Sequence, residues 1–245
     1  MIEFVDRRVL AGLRCVDAIT GNVVTDPLLV SGSGLTLQAN RSGAYAVFDA
    51  PNLDALTWQF VPSGTWPPAS LFEVTIEDSS LRYLPRRAAI AIPQPLATAA
   101  QPQVVSLYPS PSAPLAPNWA VVRVSVVSAA SPATGLPWAA LQIVRVSDNK
   151  PVATGIADAR GEGLLALCGL TPQAGSNSSG PVTDPTLAVT IHAWFDPGTL
   201  AQPSGWIPNP DDILGNLSNP ALKSASLPEG LAPGQSITAL LQITV

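Results

Sequence analysis

Apolar and polar residues alternate along much of this chain, which predicts β-strands. Every second residue is apolar in five stretches, and in a sixth, Leu141–Val146, the alternation shifts by one residue between Ile143 and Val144; many of the apolar residues are β-branched. The six stretches are Leu35–Ala39, Phe72–Ile76, Val122–Val126, Leu141–Val146, Leu187–Ala193 and Ile237–Val245. Gly, Pro, Asn and Asp separate them, as turn residues separate the strands of an antiparallel sheet. Many short strands of this kind indicate a sandwich or a barrel.

One short helix is expected near residue 210. Asn209 is a suitable N-cap, and the helix should end near Gly215 or Asn216. Asp211 and Asp212 would then lie in the first turn, where the helix dipole favours carboxylates. A calcium site built from these acids with Asn209 and Asn216 is the alternative.

The two halves of the chain contain the same three segments in the same order. The first half has DAITGNVV (17–24), NRSGAYAVFDAP (40–51) and LFEVTIED (71–78), and the second has PATGLPWA (132–139), DARGEGLLALCGL (158–170) and LAVTIHAW (187–194). This alignment places Gly21 opposite Gly135 and Gly43 opposite Gly161. The spacings differ by a few residues, as loop insertions allow. The duplication therefore predicts two copies of one β-sandwich.

From this duplication we expect domain 1 over 1–96, a linker over 97–117, and domain 2 over 118–245. The linker is rich in proline, which is typical of a semi-rigid, extended spacer. Within it, Gln103–Tyr108 could add an edge strand to either domain. Domain 2 carries an insertion over 196–233, for which we expect an ordered loop with little regular structure.

The duplicated segments resemble the carboxypeptidase-regulatory or transthyretin-like β-sandwich family. The family's acidic turn, followed by glycine and a strand, matches Asp158–Leu165 in the second half. In the first half Asn40 replaces the aspartate and Tyr45 supplies the aromatic residue. The resemblance implies an all-β protein of two tandem antiparallel Greek-key sandwiches, transthyretin-like or Ig-like, joined by the Pro-rich linker.

A second resemblance lies in LFEVTIEDSSLRYLPRRAAIAIP (71–93). This segment is similar to accessory structural proteins of phage-tail-like contractile injection systems. The similarity implies a structural or adaptor role at a particle terminus or baseplate. It also implies sheath, tube, cap or baseplate proteins as partners in a symmetric assembly, with synthesis and assembly in the cytoplasm.

Composition narrows the classes of function. Charged residues make up 12% of the chain, about half the usual ~25%. The net charge of −5 argues against nucleic-acid binding, which needs a basic surface. The 26 prolines are spread along the chain and exclude a long helical bundle. We find no secretory signal and no apolar run long enough to span a membrane.

The residue inventory gives little support to an enzyme. His192 is the single histidine, and strand alternation places it opposite Val189 and Ile191, facing solvent or a partner. A lone histidine with no associated nucleophile is weak support for catalysis. Cys15 and Cys168 lack metal-ligand or redox spacing and are expected to be buried and reduced. We therefore expect no catalysis, no cofactor and no metal.

Four residues are candidates for protein contacts. Trp66 and Trp206 lie in Pro-flanked loops that occupy similar places in the two halves, and rigid aromatic residues suit binding surfaces. Arg86 and Arg87 form a basic pair whose alternative interpretation is a solvated strand end. The leading hypothesis is a structural adaptor that binds through sheet edges and rigid loops. The alternative is a binding module or adhesin that recognises a glycan or a surface protein.

Overall fold

The computed structural model of the protein describes residues 8–53, 56, 66–94, 101–170, 173–174, 183–184 and 186–245. The chain forms two compact units. Unit 1 comprises Met1–Asp17, Gly21–Ser80 and Pro85–Leu107, and unit 2 comprises Ala18–Thr20, Leu81–Leu84 and Tyr108–Val245. Both units consist mostly of β-strands in paired sheets, which confirms the all-β prediction.

The described residues of unit 1 form seven strands. They are β1 (Ala11–Asp17), β2 (Leu29–Ser31), β3 (Thr36–Ala39), β4 (Ala44–Asp49), β5 (Ser70–Glu77), β6 (Arg86–Ile92) and β7 (Gln103–Leu107). Sheet A has the order β3-β4-β1-β7 and sheet B has the order β2-β5-β6. Alternate residues of β1, including Leu13 and Cys15, are fully buried, as expected for strands with one face on a core.

Unit 2 contains nine strands in the part of the chain that the structure describes. They are β8 (Ala120–Ser128), β9 (Ala140–Arg145), β10 (Lys150–Ile156), β11 (Glu162–Leu167), β12 (Gln173–Ala174), β13 (Thr183–Asp184), β14 (Leu187–Phe195), β15 (Lys223–Leu231) and β16 (Ser236–Ile243). Sheet C has the order β10-β9-β14-β15, and sheet D has the order β11-β8-β16. The core between them is aliphatic, with Val124 and Ile191 completely buried.

The two units share a strand topology. In unit 1, β1 pairs antiparallel with β4 and parallel with the last strand, β7. In unit 2, β8 pairs antiparallel with β11 and parallel with the last strand, β16. The aligned segments 71–78 and 187–194 fall on β5 and β14, which are internal strands of sheets B and C. The units differ in that β3 pairs with β4, whereas β10 pairs with β9.

The same turn introduces β4 and β11. Asn40 Oδ1 accepts hydrogen bonds from the N–H groups of Ser42 and Ala44, both at 2.9 Å. Asp158 Oδ1 accepts the equivalent bonds from Arg160 at 2.7 Å and Glu162 at 3.0 Å. Only a short side chain with an oxygen acceptor closes such a turn, so Asn and Asp are interchangeable here. This explains why the duplicated motif keeps its geometry although the acidic residue differs.

The Thr-Gly pairs that the sequence alignment superimposed are not structurally equivalent. Gly21 lies in a turn with φ of 71°. Gly135 instead pairs with Val127, as Val23 pairs with Val16 in unit 1. Gly135 therefore corresponds to Val23, two residues beyond Gly21. The loop after the first strand has a different length in each unit. The Thr-Gly motif is only two residues long, so its alignment in sequence did not reveal this difference in length.

The expected linker does not behave as a spacer. Gln103–Leu107 forms β7 and completes sheet A, so the boundary between the units lies after Leu107. Farther along, Ala113, Leu115 and Trp119 pack on the outer face of sheet D. The guanidinium of Arg123 donates to the carbonyl of Pro111 in the same region. Apolar side chains between the prolines therefore hold this segment against unit 2.

The expected loop insertion contains regular structure. It has a 3₁₀ helix over Pro197–Ala201 and the helix α1 over Pro210–Leu214, which is capped by Asn209 as predicted. Its last part is β15, which pairs with β14 over nine residues. The prediction that segment 196–233 has little regular structure is therefore wrong, because its residues Lys223–Leu231 form a strand. Pro228 concealed the strand, and this proline is tolerated because β15 is an edge strand.

The left-handed glycine of the shared turn should be essential for packing. Gly161 has φ of +82°, and a Cβ there would lie 2.5 Å from Val126 O and 2.7 Å from Leu136 N. Gly169 has φ of +72° with no heavy atom within 4 Å of its Cβ position. We predict that Gly161→Ala lowers the free energy of unfolding by about 3–5 kcal/mol, because steric overlap adds to backbone strain. The matched Gly169→Ala should lose only about 1–2 kcal/mol. Equal losses in urea denaturation would show that the close approach is unimportant.

Candidate functional site

The structure separates the two arginines of the predicted contact pair. Arg86 is 1% exposed, so the expectation that it lies at the surface is wrong. It shares the inward phase of β6 with Ala88 and Ile90. Its Nη1 donates to Ser106 O at 2.6 Å, and its Nε donates to Arg87 O at 3.2 Å. Arg87 points outward and pairs with the exposed Glu73 at 3.1 Å.

The two tryptophans of the predicted contact set lie in different connections. Trp66 precedes β5, whereas Trp206 lies between β14 and β15, so their loops do not correspond. Trp66 is half-buried, and its Nε1 has no hydrogen-bond partner among the described residues. Trp206 packs in unit 2 on a buried cluster that includes Trp138 and Ile156. This packing favours a structural role for Trp206.

The cysteines and the histidine have distinct environments. Both cysteines are free; Cys15 is buried as expected, but Cys168 is exposed. Burial raises the pKa of Cys15 to about 11, with the nearby Arg86 guanidinium acting in the opposite direction. His192 faces away from the core as predicted, and its ring stacks on Trp194 at 5.3 Å. Partial burial lowers the pKa of His192, which favours the neutral imidazole.

The acidic pairs have local roles. Glu77 is exposed at the end of β5, whereas Asp78 is buried and accepts a hydrogen bond from Ser80 N at 2.8 Å. Asp211 and Asp212 lie in the first turn of α1, as predicted. Among the described residues, no group of three or more His, Cys, Asp or Glu side chains could hold a metal ion. No helix in that part of the chain is both long and apolar enough to cross a bilayer.

The sheet edges are the remaining candidates, because each carries backbone groups that can bind another strand. In unit 1 these edges are short, irregular or bonded to side chains. β2 has three residues, and β3 has a bulge between Thr36 and Leu37. The side-chain amide of Gln103 on β7 accepts from Ala91 N at 2.8 Å and donates to Ala91 O at 3.0 Å, which satisfies both backbone groups of Ala91 on β6.

Two edges of unit 2 are blocked by proline. β10 carries Lys150, Pro151 and a bulge before Ala153. On the other side of sheet C, Val146 N donates to Ala188 O, so even-numbered residues of β14 bond to β9 and odd-numbered residues bond to β15. Because Val189 is paired with Glu229, the even-numbered Pro228 faces the free edge of β15. The free edge of β15 therefore has no N–H donor at Pro228. Proline at such a position commonly protects an edge strand against unwanted pairing.

Sheet D has one shielded edge and one open edge. The edge of β11 is shielded by β10. A Cβ added at Gly155 of β10 would lie only 3.2 Å from Leu164 O of β11. β16 has eight residues, no proline and no charged residue. In the part of the chain that the structure describes, no strand pairs with the edge of β16 opposite β8. The turn after Leu231 brings β15 near β16, but the two strands form no ladder in the described structure.

Hydrogen bonds at the two ends of the β8–β16 ladder identify the outward residues. Val121 N donates to Gln235 O, and Ala129 N donates to Ile243 O. In a parallel ladder alternate residues bond to the same neighbour, so the odd-numbered residues of β16 bond to β8. The even-numbered residues direct both backbone groups to the open edge, and their side chains are exposed: Ser236, Thr238, Leu240 and Gln242. Leu240 is 54% exposed.

The sequence contains a signal for this site, although the predicted contact residues Trp66, Arg86, Arg87 and Trp206 lie elsewhere. β16 was predicted as a strand, but its position at an edge depends on a parallel pairing with β8 across more than a hundred residues. Alternation alone does not distinguish an edge strand from a central one. The absence of charge and proline from residues 236–243 was the available signal, because both usually protect exposed edges.

No protein-family model matches the chain, and no curated protein sequence matches it. Among solved structures, the chain is similar to the Bacillus anthracis TIE protein, with 11% sequence identity and a TM-score of 0.30. The match covers 96% of this chain and 34% of that protein, so the chain spans about a third of its length. A TM-score this low supports no conclusion about function.

The neighbouring arginines provide a matched test of burial. We predict that Arg86→Ala lowers the free energy of unfolding by about 2–4 kcal/mol, because it creates a cavity and leaves the carbonyl of the partly buried Ser106 without this donor. Arg87→Ala removes an exposed ion pair and should change stability by less than about 1 kcal/mol. Denaturant titrations followed by circular dichroism measure both. Similar values for the two variants would contradict the inward placement of Arg86.

Cys15 should make stability depend on alkaline pH. The folded state favours the neutral thiol, since its pKa rises from 9.0 to about 11. This contribution is complete below pH 9 and is lost as the pH rises through about 11. We therefore predict that stability falls over this range, and that Cys15→Ala flattens the slope in thermal melts at successive pH values. An unchanged slope would contradict burial of the thiol.

Ellman's reagent offers a second check, since in the native protein Cys168 should react before Cys15.

Proposed function

We propose that the chain is a non-enzymatic structural or adaptor protein that joins other protein subunits by accepting an extended segment of a partner beside β16. The observation that carries this proposal is the open edge of β16, whose outward residues are uncharged and exposed. An extended segment is complementary to such an edge, because it supplies donors and acceptors at the spacing of a strand. By contrast, β2 is short and β3 is irregular. The edge of β11 is shielded, proline interrupts β10 and β15, and a side chain bonds to β6.

The open edge of β16 offers a partner both backbone groups and an apolar side chain. Four residues of β16 offer backbone groups to a partner strand, and each net hydrogen bond contributes about 0.5–1.5 kcal/mol. Burial of Leu240 would add about 1–2 kcal/mol, since roughly half of the side chain is exposed before binding. Ser236, Thr238 and Gln242 add no charge that a partner would need to neutralise. Backbone contacts would supply affinity, and the exposed Leu240 would select apolar side chains of the partner.

The kind of assembly that we propose rests on the resemblance of residues 71–93 to accessory structural proteins of contractile injection systems. We propose a phage-tail-like contractile injection particle, in which the chain occupies a terminus or the baseplate. Its partners would be sheath, tube, cap or baseplate subunits, present in copy numbers that follow the particle symmetry. Synthesis and assembly would occur in the cytoplasm. A low charged fraction of 12% suits a protein whose surface is covered by neighbours.

Thr238→Pro tests the edge directly. Thr238 directs its N–H to the open edge, so proline removes an outward donor while the bonds between β16 and β8 remain. We predict that this variant loses at least tenfold in affinity for the particle subunit that binds the wild-type chain. The measurement is a pairwise binding assay with purified sheath, tube, cap and baseplate subunits of the proposed particle. Thr238→Ala retains the N–H and is the matched control.

Hydrogen exchange distinguishes failure of the proposal from failure of folding. In the free protein, amides of Thr238, Leu240 and Gln242 should exchange faster than those of Ile237 and Ala239, which bond to β8. A bound subunit should protect the fast set. Full binding by a folded Thr238→Pro variant would refute strand addition at β16. If none of the subunits bound the wild-type chain, the assignment to such a particle would be wrong.

A further inference from the structure

The outer face of sheet C carries a row of polar side chains that crosses all four strands. Thr154 on β10 is paired with Gln142 on β9, Gln142 with His192 on β14, and His192 with Ser226 on β15. We call these four residues the polar row. Neighbouring strands lie about 4.8 Å apart, so the row extends over about 14 Å.

The side chains of the polar row are available to a ligand. Ser226 is exposed, and Thr154, Gln142 and His192 are partly buried. None of the four side chains makes a hydrogen bond to a residue that the structure describes. Together they offer two hydroxyls, an amide and an imidazole, all of which both donate and accept. The set is uncharged, because partial burial favours the neutral form of His192.

An aromatic residue borders the polar row. Trp194 is two residues beyond His192 on the same face of β14, and the two rings stack with an interplanar angle of 20°. In the same neighbouring row, Ile156 belongs to a buried cluster against which Trp206 and Leu214 pack. The rows beside the polar row contain no charged side chain on the outer face.

We propose that this face binds an uncharged oligosaccharide that runs across the strands of sheet C. Sugar hydroxyls both donate and accept hydrogen bonds, and so do the hydroxyl, amide and imidazole groups of the polar row. Trp194 supplies an apolar surface for the C–H face of a sugar ring. A phosphate-containing or acidic ligand would need basic residues, which these rows lack. The site is on the opposite sheet of unit 2 from β16 and goes beyond the proposed adaptor role.

His192 provides a direct readout because it is the single histidine of the chain. The probes are cellohexaose, chitohexaose, maltohexaose, xylohexaose and mannohexaose, each titrated into the full chain. We expect at least one of these neutral sugars to shift the His192 ring proton signals with saturation at millimolar concentration or below. Sialyllactose is the acidic comparison and should cause no shift. Absence of a saturable shift with all five neutral sugars would overturn the proposal.

Variants locate the binding surface. Gln142→Ala and Trp194→Ala should each weaken binding of the sugar that shifts His192 by at least tenfold. Trp194→Phe keeps an apolar ring and should therefore retain most of the affinity. Gln38→Ala is the matched control, since Gln38 is an exposed strand glutamine of unit 1. Thr238→Pro should bind the sugar normally, which separates this site from the β16 edge. Unchanged affinity in folded Gln142→Ala, or in folded Trp194→Ala, would refute the site.

Discussion

The need to satisfy backbone hydrogen bonds at the edges of the sheets governs the architecture of this protein. Each sandwich leaves strands with one unpaired side, and an unpaired N–H or C=O is costly unless water or another group bonds to it. Unit 1 uses side chains for this purpose: Gln103 bonds to both backbone groups of Ala91, and Arg86 bonds to Ser106 O. Unit 2 uses Pro151 and Pro228 on sheet C. β16 has neither form of protection.

The sequence predicted those features that depend on neighbouring residues. Alternation identified β5, β8, β9, β14 and β16, and the cap at Asn209 identified α1. The turn motif around Gly161 was recognisable because its geometry needs a short oxygen acceptor and a left-handed glycine within four residues. These are local requirements, so they leave local patterns.

Features that depend on distant contacts were missed or misplaced. Arg86 is charged and was expected at the surface, but its burial depends on Ser106, which comes from a strand twenty residues later. β15 was obscured by Pro228, because proline is compatible with a strand only where its missing N–H faces a free edge. Trp66 and Trp206 have similar flanking residues but lie in different connections of the fold. The polar row combines residues from four strands, of which only His192 drew attention in the sequence.

The scarcity of charge has a common explanation at the two proposed sites. A charged residue among the outward positions of β16 would hinder pairing with a partner strand, and a charge beside Gln142 and His192 would favour ions over neutral hydroxyls. Residues 236–243 and the polar row are uncharged, although surface strands usually carry Lys, Glu or Asp. Uncharged exposed strands carry a risk of aggregation, which a free monomer would normally limit with charge. Occupation of both surfaces by specific partners removes that risk, so the composition is consistent with a protein that functions in the bound state.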